Sequence, residues 1–498
     1  MGGLHGIDMQ AAGGGLRTIT TVSTAIIGLI GTAPDAEGAT AATVSLGSAL
    51  LDNAFTLTAG ATYPGRTGNA LKVRAVTGAD VGLTDDEPPV TVTATLEKGE
   101  LLLTLAVDAA GDVTATAADV VAAINAAEDV DVIAQAAGAG AGTVTPFTRQ
   151  SFSGGQDEPF PLNKPWIIAG SETQADRLGE AGTLKTAVAE ILSQTGALIV
   201  GIRVADVAAV RAEASLTGNI ISGIPGFLLA QTTTGNQPRV FIAPGFSEDD
   251  GVGKALETVA DRMKGVTYLD MPSMSTPEEA VARRMKYGER VEILRPRVLT
   301  TDGDGQMIYR PYSAFAAGLR ARIDSELGYW WSKSNQVVNG FSGVEQPDSW
   351  SIGDENSVAN LLNMNNVSTI IQYGGFRHWG NRNCSIDPLR WFEPAVRTDD
   401  VLRASIQVGL FPYVDAPLDI MLARDAVESV NSYLREQKQL GAIHGGEAWL
   451  DPELNTEKTL AEGHLYIDYD YGFKSPAERI TCRVHVNTEY AKEAFGGQ

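Results

Sequence analysis

Short apolar runs alternate with helix-like segments through the middle third of the chain. The strand-like runs are residues 166–170 (WIIAG), 197–204 (ALIVGIRV), 239–245 (RVFIAPG), 266–272 (VTYLDMP) and 367–374 (VSTIIQYG), and the helical segments are residues 182–196 and 254–265. Near-continuous apolar strands separated by helices are typical of a parallel sheet that is covered on both faces. The pattern therefore predicts a central α/β sheet domain.

The last third of the chain predicts one long helix over residues 425–441. Its apolar positions are Val427, Val430, Leu434 and Leu440. They lie near one face at helical spacing, and Gly441 is placed to end the helix, because glycine accepts the left-handed conformation of a helix C-terminus.

The C-terminal segment 480–487 (ITCRVHVN) predicts a strand. Its apolar positions are Ile480, Cys482, Val484 and Val486, and each is followed by a polar residue. Strict alternation is typical of a strand with one buried face. Residues 489–498 then form a short amphipathic extension.

The N-terminal end has two parts. Residues 1–17 are rich in glycine and lack a periodic apolar pattern, so local burial cannot offset their ordering entropy, and we expect a flexible arm unless another surface orders it. Residues 18–33 (TITTVSTAIIGLIGTA) are β-branched and apolar, and predict one buried strand.

Between residues 34 and 158 the composition changes abruptly. This stretch has no Trp, Cys, His or Met, and carries 17 acidic but only 5 basic residues. Residues 90–108 alternate and turn at Lys98-Gly99, which predicts a hairpin, and residues 118–130 have helical spacing. We interpret 34–158 as a small, acidic, β-rich α+β domain inserted in an exposed loop. We interpret it as a solvent-exposed surface domain that carries no chemistry, and the alternative is that it binds a receptor.

Composition limits the possible functions. The net charge of −23 argues against nucleic-acid binding, because phosphate neutralisation needs clustered Lys and Arg. No apolar run approaches the roughly 18 residues of a membrane span, and residues 24–33 lie too far from Met1 for a signal peptide, so neither membrane insertion nor secretion is expected. Two distant cysteines, Cys384 and Cys482, predict small buried hydrophobes in a protein that folds in a reducing cytosol.

The familiar catalytic and ligand-binding patterns are incomplete. Residues 251–255 (GVGKA) have Glu248 where a phosphate loop needs its first glycine, and no Ser or Thr follows the lysine. Residues 302–306 (DGDGQ) suggest a calcium loop, but Met307 and Ser313 stand at the required Gly and Glu positions. The five histidines form no ligand-like pair. We therefore predict no catalytic residue, no cofactor, no metal site and no enzymatic activity.

Several segments together resemble the contractile tail sheath protein family. In residues 310–344 the matching positions are Pro311, Ser313, Ala317, Gly318, Ala321, Arg322, Asp324, Gly328, Trp330, Asn335, Gly343 and Val344. Further along they are Leu362, Asn363, Asn366, Trp379, Gly380 and Arg382. Residues 28–34, 434–445, 455–467 and 475–480 (SPAERI) also match, in order. One departure is Lys333–Ser334–Asn335, where the family has Ala-Pro-Asn.

The resemblance implies a structural subunit of a phage tail sheath. Such subunits polymerise as stacked hexameric rings in a helical array around a tail tube, and contraction drives the tube through the host envelope. The implied partners are other copies of the chain, the tail tube protein, and baseplate and tail terminator proteins. The implied location is the virion tail, assembled in the host bacterial cytoplasm.

The expected architecture is a multidomain α/β and α+β protein. Residues 1–33 form an N-terminal arm and first core strand, 34–158 the inserted domain, 159–376 a central α/β domain, and 377–498 a C-terminal α+β domain with a terminal arm. The alternatives are an α/β enzyme without an identifiable active site, or another self-assembling virion component.

Two sets of residues are predicted to contact other subunits. The arms are expected to exchange between subunits by adding strands to a sheet edge beside residues 480–487. The predicted arm residues are Leu4, Ile7, Leu16, Ile19, Ile480, Cys482, Val484, Val486, Tyr490 and Phe495. Arg424, Arg435 and Lys438 concentrate positive charge on the long helix of an acidic chain, and are predicted to face the tube, with a solvated helix face as the alternative.

Overall fold

A computed structural model describes residues 18–77, 91–206, 212–302 and 305–490. The chain divides into two compact units. The main unit comprises Met1–Pro34, Leu162–Asp176 and Glu180–Gln498, and the insert unit comprises Asp35–Pro161 with Arg177–Gly179. Both combine helices with sheets, so the predicted mixed α/β class is confirmed. The four-part domain division stays a prediction.

The main unit contains strands β1 and β9–β22. The strands are β1 (Ile27–Thr32), β9 (Pro165–Ala169), β10 (Leu198–Val204), β11 (Val240–Ile242), β12 (Val266–Asp270), β13 (Val291–Leu294), β14 (Val298–Thr301), β15 (Met307–Arg310), β16 (Gly343–Val344), β17 (Val367–Gln372), β18 (Phe376–Trp379), β19 (Ile443–Gly445), β20 (Ala448–Leu450), β21 (Ile467–Tyr469) and β22 (Gly472–Phe473).

The helices of the main unit lie between these strands. They are α2 (Glu172–Asp176), α3 (Leu184–Leu192), α4 (Ala212–Gly223), α5 (Ala230–Thr234), α6 (Asp250–Met263), α7 (Pro277–Arg284), α8 (Ser313–Glu326), α9 (Val358–Met364), α10 (Glu393–Leu410), α11 (Ile420–Leu440) and α12 (Glu457–Ala461).

The centre of the main unit is an eight-stranded sheet in the order β18-β17-β13-β12-β11-β1-β10-β9. Its six inner strands are parallel, and β18 and β9 run antiparallel at the two edges. Every residue of β1 is buried, as expected for a strand covered on both faces. The parallel sheet predicted from the apolar runs is therefore present.

Two strand predictions need correction. The runs at 166–170 and 197–204 are predicted to pair in parallel, but β9 is an edge strand and pairs antiparallel with β10. Gly201 lies opposite Trp166, whose ring occupies the space where a Cβ would stand, only 2.0 Å away. The single strand predicted over 18–33 is shorter and begins at Ile27, because no other described residues form a ladder with residues 18–26.

Helix α6 shows why residues 251–255 are no phosphate loop. Asp249 caps the helix by accepting hydrogen bonds from the backbone N–H groups of Gly251 and Val252, so these donors are already satisfied. The helix buries a face made of Val252, Leu256, Val259, Ala260 and Met263. These side chains join the apolar core that packs on the sheet.

The insert unit has a core of its own. It contains β2 (Thr43–Leu46), β3 (Phe55–Ala59), β4 (Lys72–Thr77), β5 (Thr93–Glu97), β6 (Glu100–Leu105), α1 (Ala117–Ala126), β7 (Val132–Ala136) and β8 (Phe147–Ser151). The strands form one three-stranded sheet, β2-β3-β7, and one four-stranded sheet, β5-β6-β4-β8. The predicted hairpin is β5–β6, and Lys98 and Gly99 both have positive φ, as a tight hairpin turn requires.

The C-terminal part of the main unit is built on α10 and α11. Helix α11 ends at Gly441 with φ of 88°, as predicted, and starts at Ile420 behind an Asp419 cap. Val430, Tyr433 and Leu434 face a core shared with α10. After α11 come two small antiparallel sheets, β19–β22 and β20–β21, and the chain then continues as an extension.

Candidate assembly surfaces

The C-terminal extension follows β22 and is strongly exposed. Residues 477–490 are all exposed, with Ile480 at 80%, Val484 at 87% and Val486 at 90%. Residues 480–487 form no strand, so the strand predicted there with a buried face is wrong for this chain on its own. The alternation of apolar and polar side chains is real, but no strand among the described residues supplies the backbone hydrogen bonds or covers the apolar side.

The two cysteines differ in environment. Cys384 is buried, as predicted, and burial raises the pKa of its thiol well above the ordinary value. Cys482 is exposed, which corrects the prediction of a buried residue. It lies on the apolar side of the extension between Ile480 and Val484, and that side is uncovered.

Both small sheets near the extension have open edges. Within the described part of the chain, β19 pairs only with β22, and β20 pairs only with β21. Isolated two-stranded sheets are marginal, and unpaired edges are templates for another strand. Trp449 on β20 is 41% exposed, so apolar surface adjoins one of these sheets.

Most of the predicted N-terminal arm lies outside the described residues. Leu4, Ile7 and Leu16, and Phe495 at the other end, lie outside the described residues. Ile19 is buried against its own chain, in the core that contains Val401, Leu402 and Tyr433. A Cβ at Gly409 of α10 would lie 2.4 Å from Ile19, so this helix approaches the segment closely. The exchange of the arm stays a prediction.

The basic residues of α11 are on its exposed side. Arg424, Arg435 and Lys438 are exposed, and Arg435 pairs with Glu428 about two turns earlier on the same helix. Their predicted contact with a tube stays a prediction. Tyr490 on the extension is 68% exposed and also stays a predicted contact.

The residues of the 310–344 motif hold the interior together. Ser313, at the start of α8, donates its backbone N–H and its hydroxyl to the buried Asp270 at the end of β12, over 2.7 and 2.5 Å. Asp324 accepts hydrogen bonds from Arg320, at 2.8 Å, and from Arg397 on α10. The motif therefore fastens α8 to the sheet and to α10, which makes the main unit a well-connected body.

Sequence reasoning missed a buried charged cluster around Lys333. The ammonium contacts the carboxylates of Glu292 and Glu393 and lies 4.3 Å from the centre of the Tyr268 ring. His378 bonds Glu292 through Nε2 at 3.1 Å. Burial lowers the pKa of His378. Lys333 lies in the Lys333–Ser334–Asn335 segment that departs from the family pattern, so that departure was the available signal.

A large open cavity of about 630 Å³ lies in the main unit. It is lined by residues 21–26, 196–198 and 324–330 and by Gln437 and Leu440.

Among the described residues, no three His, Cys, Asp or Glu side chains are grouped so that they could hold a metal ion. No described helix is both long and apolar enough to cross a membrane.

Comparison with known proteins identifies the family. Residues 224–384 match the phage tail sheath protein central domain, and residues 388–487 match the phage tail sheath C-terminal domain. The chain is 34% identical over 347 residues to the tail sheath protein of Escherichia phage P2, an alignment that covers 67% of this chain and 87% of the relative. The chain belongs to the phage tail sheath protein family. The resemblance seen in the sequence is thereby confirmed.

Other tail sheath relatives support this family assignment. A putative prophage major tail sheath protein of Pseudomonas aeruginosa is 32% identical over 352 residues, covering 69% of this chain and 91% of the relative. The sheath of the anti-feeding prophage, solved in the contracted state, superimposes with a TM-score of 0.53 at 19% identity, over 66% of this chain and 89% of that one. At that identity the likeness shows a shared fold.

Proposed function

We propose that this tail sheath protein polymerises with copies of itself and contracts as a structural machine without a catalytic step. The relatives by name are tail sheath proteins, and one similar structure is a sheath complex of a contractile injection system in the contracted state. The proposed assembly is a helical stack of hexameric rings around the tail tube. It ends at baseplate and terminator proteins, and its contraction drives the tube through the host envelope.

The finer architecture and location belong to the same proposal. Residues 159–376 act as the central α/β domain, 377–498 as the C-terminal α+β domain with its arm, and 34–158 as the inserted protrusion. The protein is placed in the virion tail, after assembly in the host bacterial cytoplasm.

The observation that carries the proposal is the exposed C-terminal extension. Ile480, Val484 and Val486 are at least 80% exposed on a segment with strand-type alternation. Adding this segment to an open sheet edge of a neighbouring copy would satisfy its backbone groups and cover its apolar side. The open edges of β19–β22 and β20–β21 favour these sheets as the acceptor in the neighbour.

Linked subunits can slide without separating, so interface area can supply the work. Moving a cooperative unit from mostly extended to mostly contracted needs roughly 5.5 kcal/mol. At about 25 cal/mol per Å² this corresponds to about 220 Å² of added apolar burial, before ordering costs.

Electron microscopy of the purified protein tests the proposal. The full chain is expected to form hollow, ridged cylinders, and a chain ending at Arg479 is expected to keep its melting temperature but form none. A truncated chain that assembles as well as the full chain would contradict the role of the extension. A full chain that stays monomeric and turns over a small molecule would contradict the proposal as a whole.

The N-terminal arm is a second proposed tether. Deleting residues 2–15 is expected to yield rings or short stacks that do not contract as one body, because neighbours lose a connection. Sheaths that still assemble and contract together after this deletion would remove the arm from the proposal.

A further inference from the structure

One ion pair lies at the start of the C-terminal extension. It joins two of the segments that resemble the tail sheath family. Arg382 follows β18 and Trp379-Gly380, and Glu478 belongs to residues 475–480. The Arg382 guanidinium donates through Nε to one carboxylate oxygen of Glu478 at 2.8 Å and through a terminal nitrogen to the other at 2.5 Å. Such a two-pronged pair fixes orientation as well as distance.

Arg382 is itself held by the body of the main unit. Its guanidinium carbon lies 4.2 Å from the centre of the Trp391 ring, and its backbone bridges to Phe392. The side chain is 19% exposed, so the pair is only partly screened by solvent. The Arg382 guanidinium is therefore held in one orientation at the surface of the main unit.

Glu478 is the residue of the extension that Arg382 holds. Its side chain is 33% exposed, whereas the side chain of the next residue, Arg479, is 76% exposed. The neighbouring pair, Arg479 with Glu355, is far looser, with side chains 76% and 71% exposed. Exposed pairs of that kind contribute little to orientation.

We propose that the Arg382–Glu478 pair is a clamp: it holds the C-terminal extension in the orientation in which a second copy of the chain binds it. This inference rests on the proposed strand exchange. Without this ion pair the extension samples many orientations. Its conformational entropy must then be lost each time a second copy binds it, which slows assembly. Arg382 is thus a positioning residue for assembly, and it acts through Glu478.

The native cysteines allow a direct measurement on the full chain. Cys482 is exposed four residues beyond Glu478, and Cys384 is buried, so a thiol-reactive fluorophore labels the extension selectively. Glu478→Gln keeps the shape of the side chain and removes its charge. Arg382→Lys keeps the charge and removes the fork and the ring stacking. Glu355→Gln breaks the exposed pair and is the matched control.

We expect both clamp variants to lower the fluorescence anisotropy of labelled monomers and to slow sheath formation roughly tenfold at equal protein concentration, since they lose a charge-assisted bidentate contact. Their melting temperatures should stay within about 2 °C of the parent. The Glu355→Gln control should match the parent in all three measurements.

The outcomes separate the clamp from the proposed function. If the chain ending at Arg479 assembles normally, strand exchange itself is wrong. If that truncation blocks assembly but Glu478→Gln and Arg382→Lys keep parental anisotropy and assembly rates, only the clamp is wrong. A clear loss of melting temperature in both clamp variants would also overturn it, because the pair would then stabilise the fold.

Discussion

The Lys333 ammonium donates a hydrogen bond to the Glu393 carboxylate over 2.5 Å, and both side chains are almost completely buried. Burial opposes the ionisation of Glu393, but the positive charges of Lys333, Arg320 and Arg397 outweigh it. The pKa of this carboxyl therefore lies well below its ordinary value. The pair joins the segment after α8 to the start of α10, so it connects the central sheet region to the helices that precede the C-terminal extension.

Replacing Lys333 tests how much the fold depends on this cluster. Lys333→Met leaves Glu292 and Glu393 buried without their shared cation, and we expect the free energy of unfolding to fall by about 3–5 kcal/mol. The triple variant Lys333→Met, Glu292→Gln, Glu393→Gln removes all three charges and should recover most of that loss. Urea unfolding measures both. Equal losses in the two variants would show that packing, and not charge, sets the cost.

Glu190 on α3 predicts a pH dependence of stability. Burial raises the pKa of Glu190 to about 8, and Arg310, 3.9 Å away, is too distant to offset it. The folded chain therefore keeps a proton that the unfolded chain releases above about pH 4.5, the ordinary value. The free energy of unfolding then falls as the pH rises from about 4.5 to about 8.

Glu190→Gln should remove this dependence. The variant is expected to be more stable than the parent by roughly 1–3 kcal/mol at pH 9, with no difference near pH 4, as measured by denaturant unfolding at both values. Glu172→Gln, at an exposed carboxylate on α2, is the control and should change neither. A constant difference between Glu190→Gln and the parent across this range would contradict the buried proton.

Gly318 in the 310–344 motif has a packing reason. A Cβ at this position of α8 would lie 2.5 Å from the backbone oxygen of Ile191 on α3. Gly318→Ala should therefore lower stability by about 1–3 kcal/mol, despite the better helix propensity of alanine. Gly218→Ala, in α4 and facing open space, is the matched control and should raise stability by up to about 1 kcal/mol. Thermal melts that rank the two variants in the opposite order would refute this contact.

The sequence predicted the parallel strands well because their apolar runs are continuous. Strands β11, β12 and β17 and helix α6 coincide with apolar or helix-spaced segments, and Gly441 ends α11 as expected. The direction of β9 could not be inferred, because an apolar edge strand has the same composition in either direction. The strand at 480–487 failed for another reason: alternation alone predicts a strand, but a strand also needs a hydrogen-bonding neighbour, and the described residues provide none.

The side-chain contacts of the main unit were harder to predict than its helices and strands. Ser313 and Asp324 were recognised only as matching positions, since their partners Asp270 and Arg397 are 43 and 73 residues away along the chain. The Arg382–Glu478 pair spans 96 residues. Contacts of this kind depend on how the sheet and helices bring distant segments together, and a pattern within a short window carries no such information.

The exposed basic residues of α11 give a test of the tube-facing prediction. Arg435 and Lys438 are solvent-exposed, so Arg435→Glu with Lys438→Glu should change monomer stability by no more than about 1 kcal/mol. If this face meets the tube, the double variant should fail to assemble on tail tubes while the isolated monomer still melts normally.

A matched charge control separates this surface from the net charge of the protein. Lys164→Glu with Arg262→Glu reverses two exposed charges elsewhere on the main unit and makes the chain equally more acidic. This control should still assemble on tubes, as followed by sedimentation and electron microscopy. Normal tube-templated assembly of Arg435→Glu with Lys438→Glu would assign this helix face to solvent. Failure of both variants would instead mean that added negative charge opposes assembly wherever it is placed, because like-charged subunits repel one another.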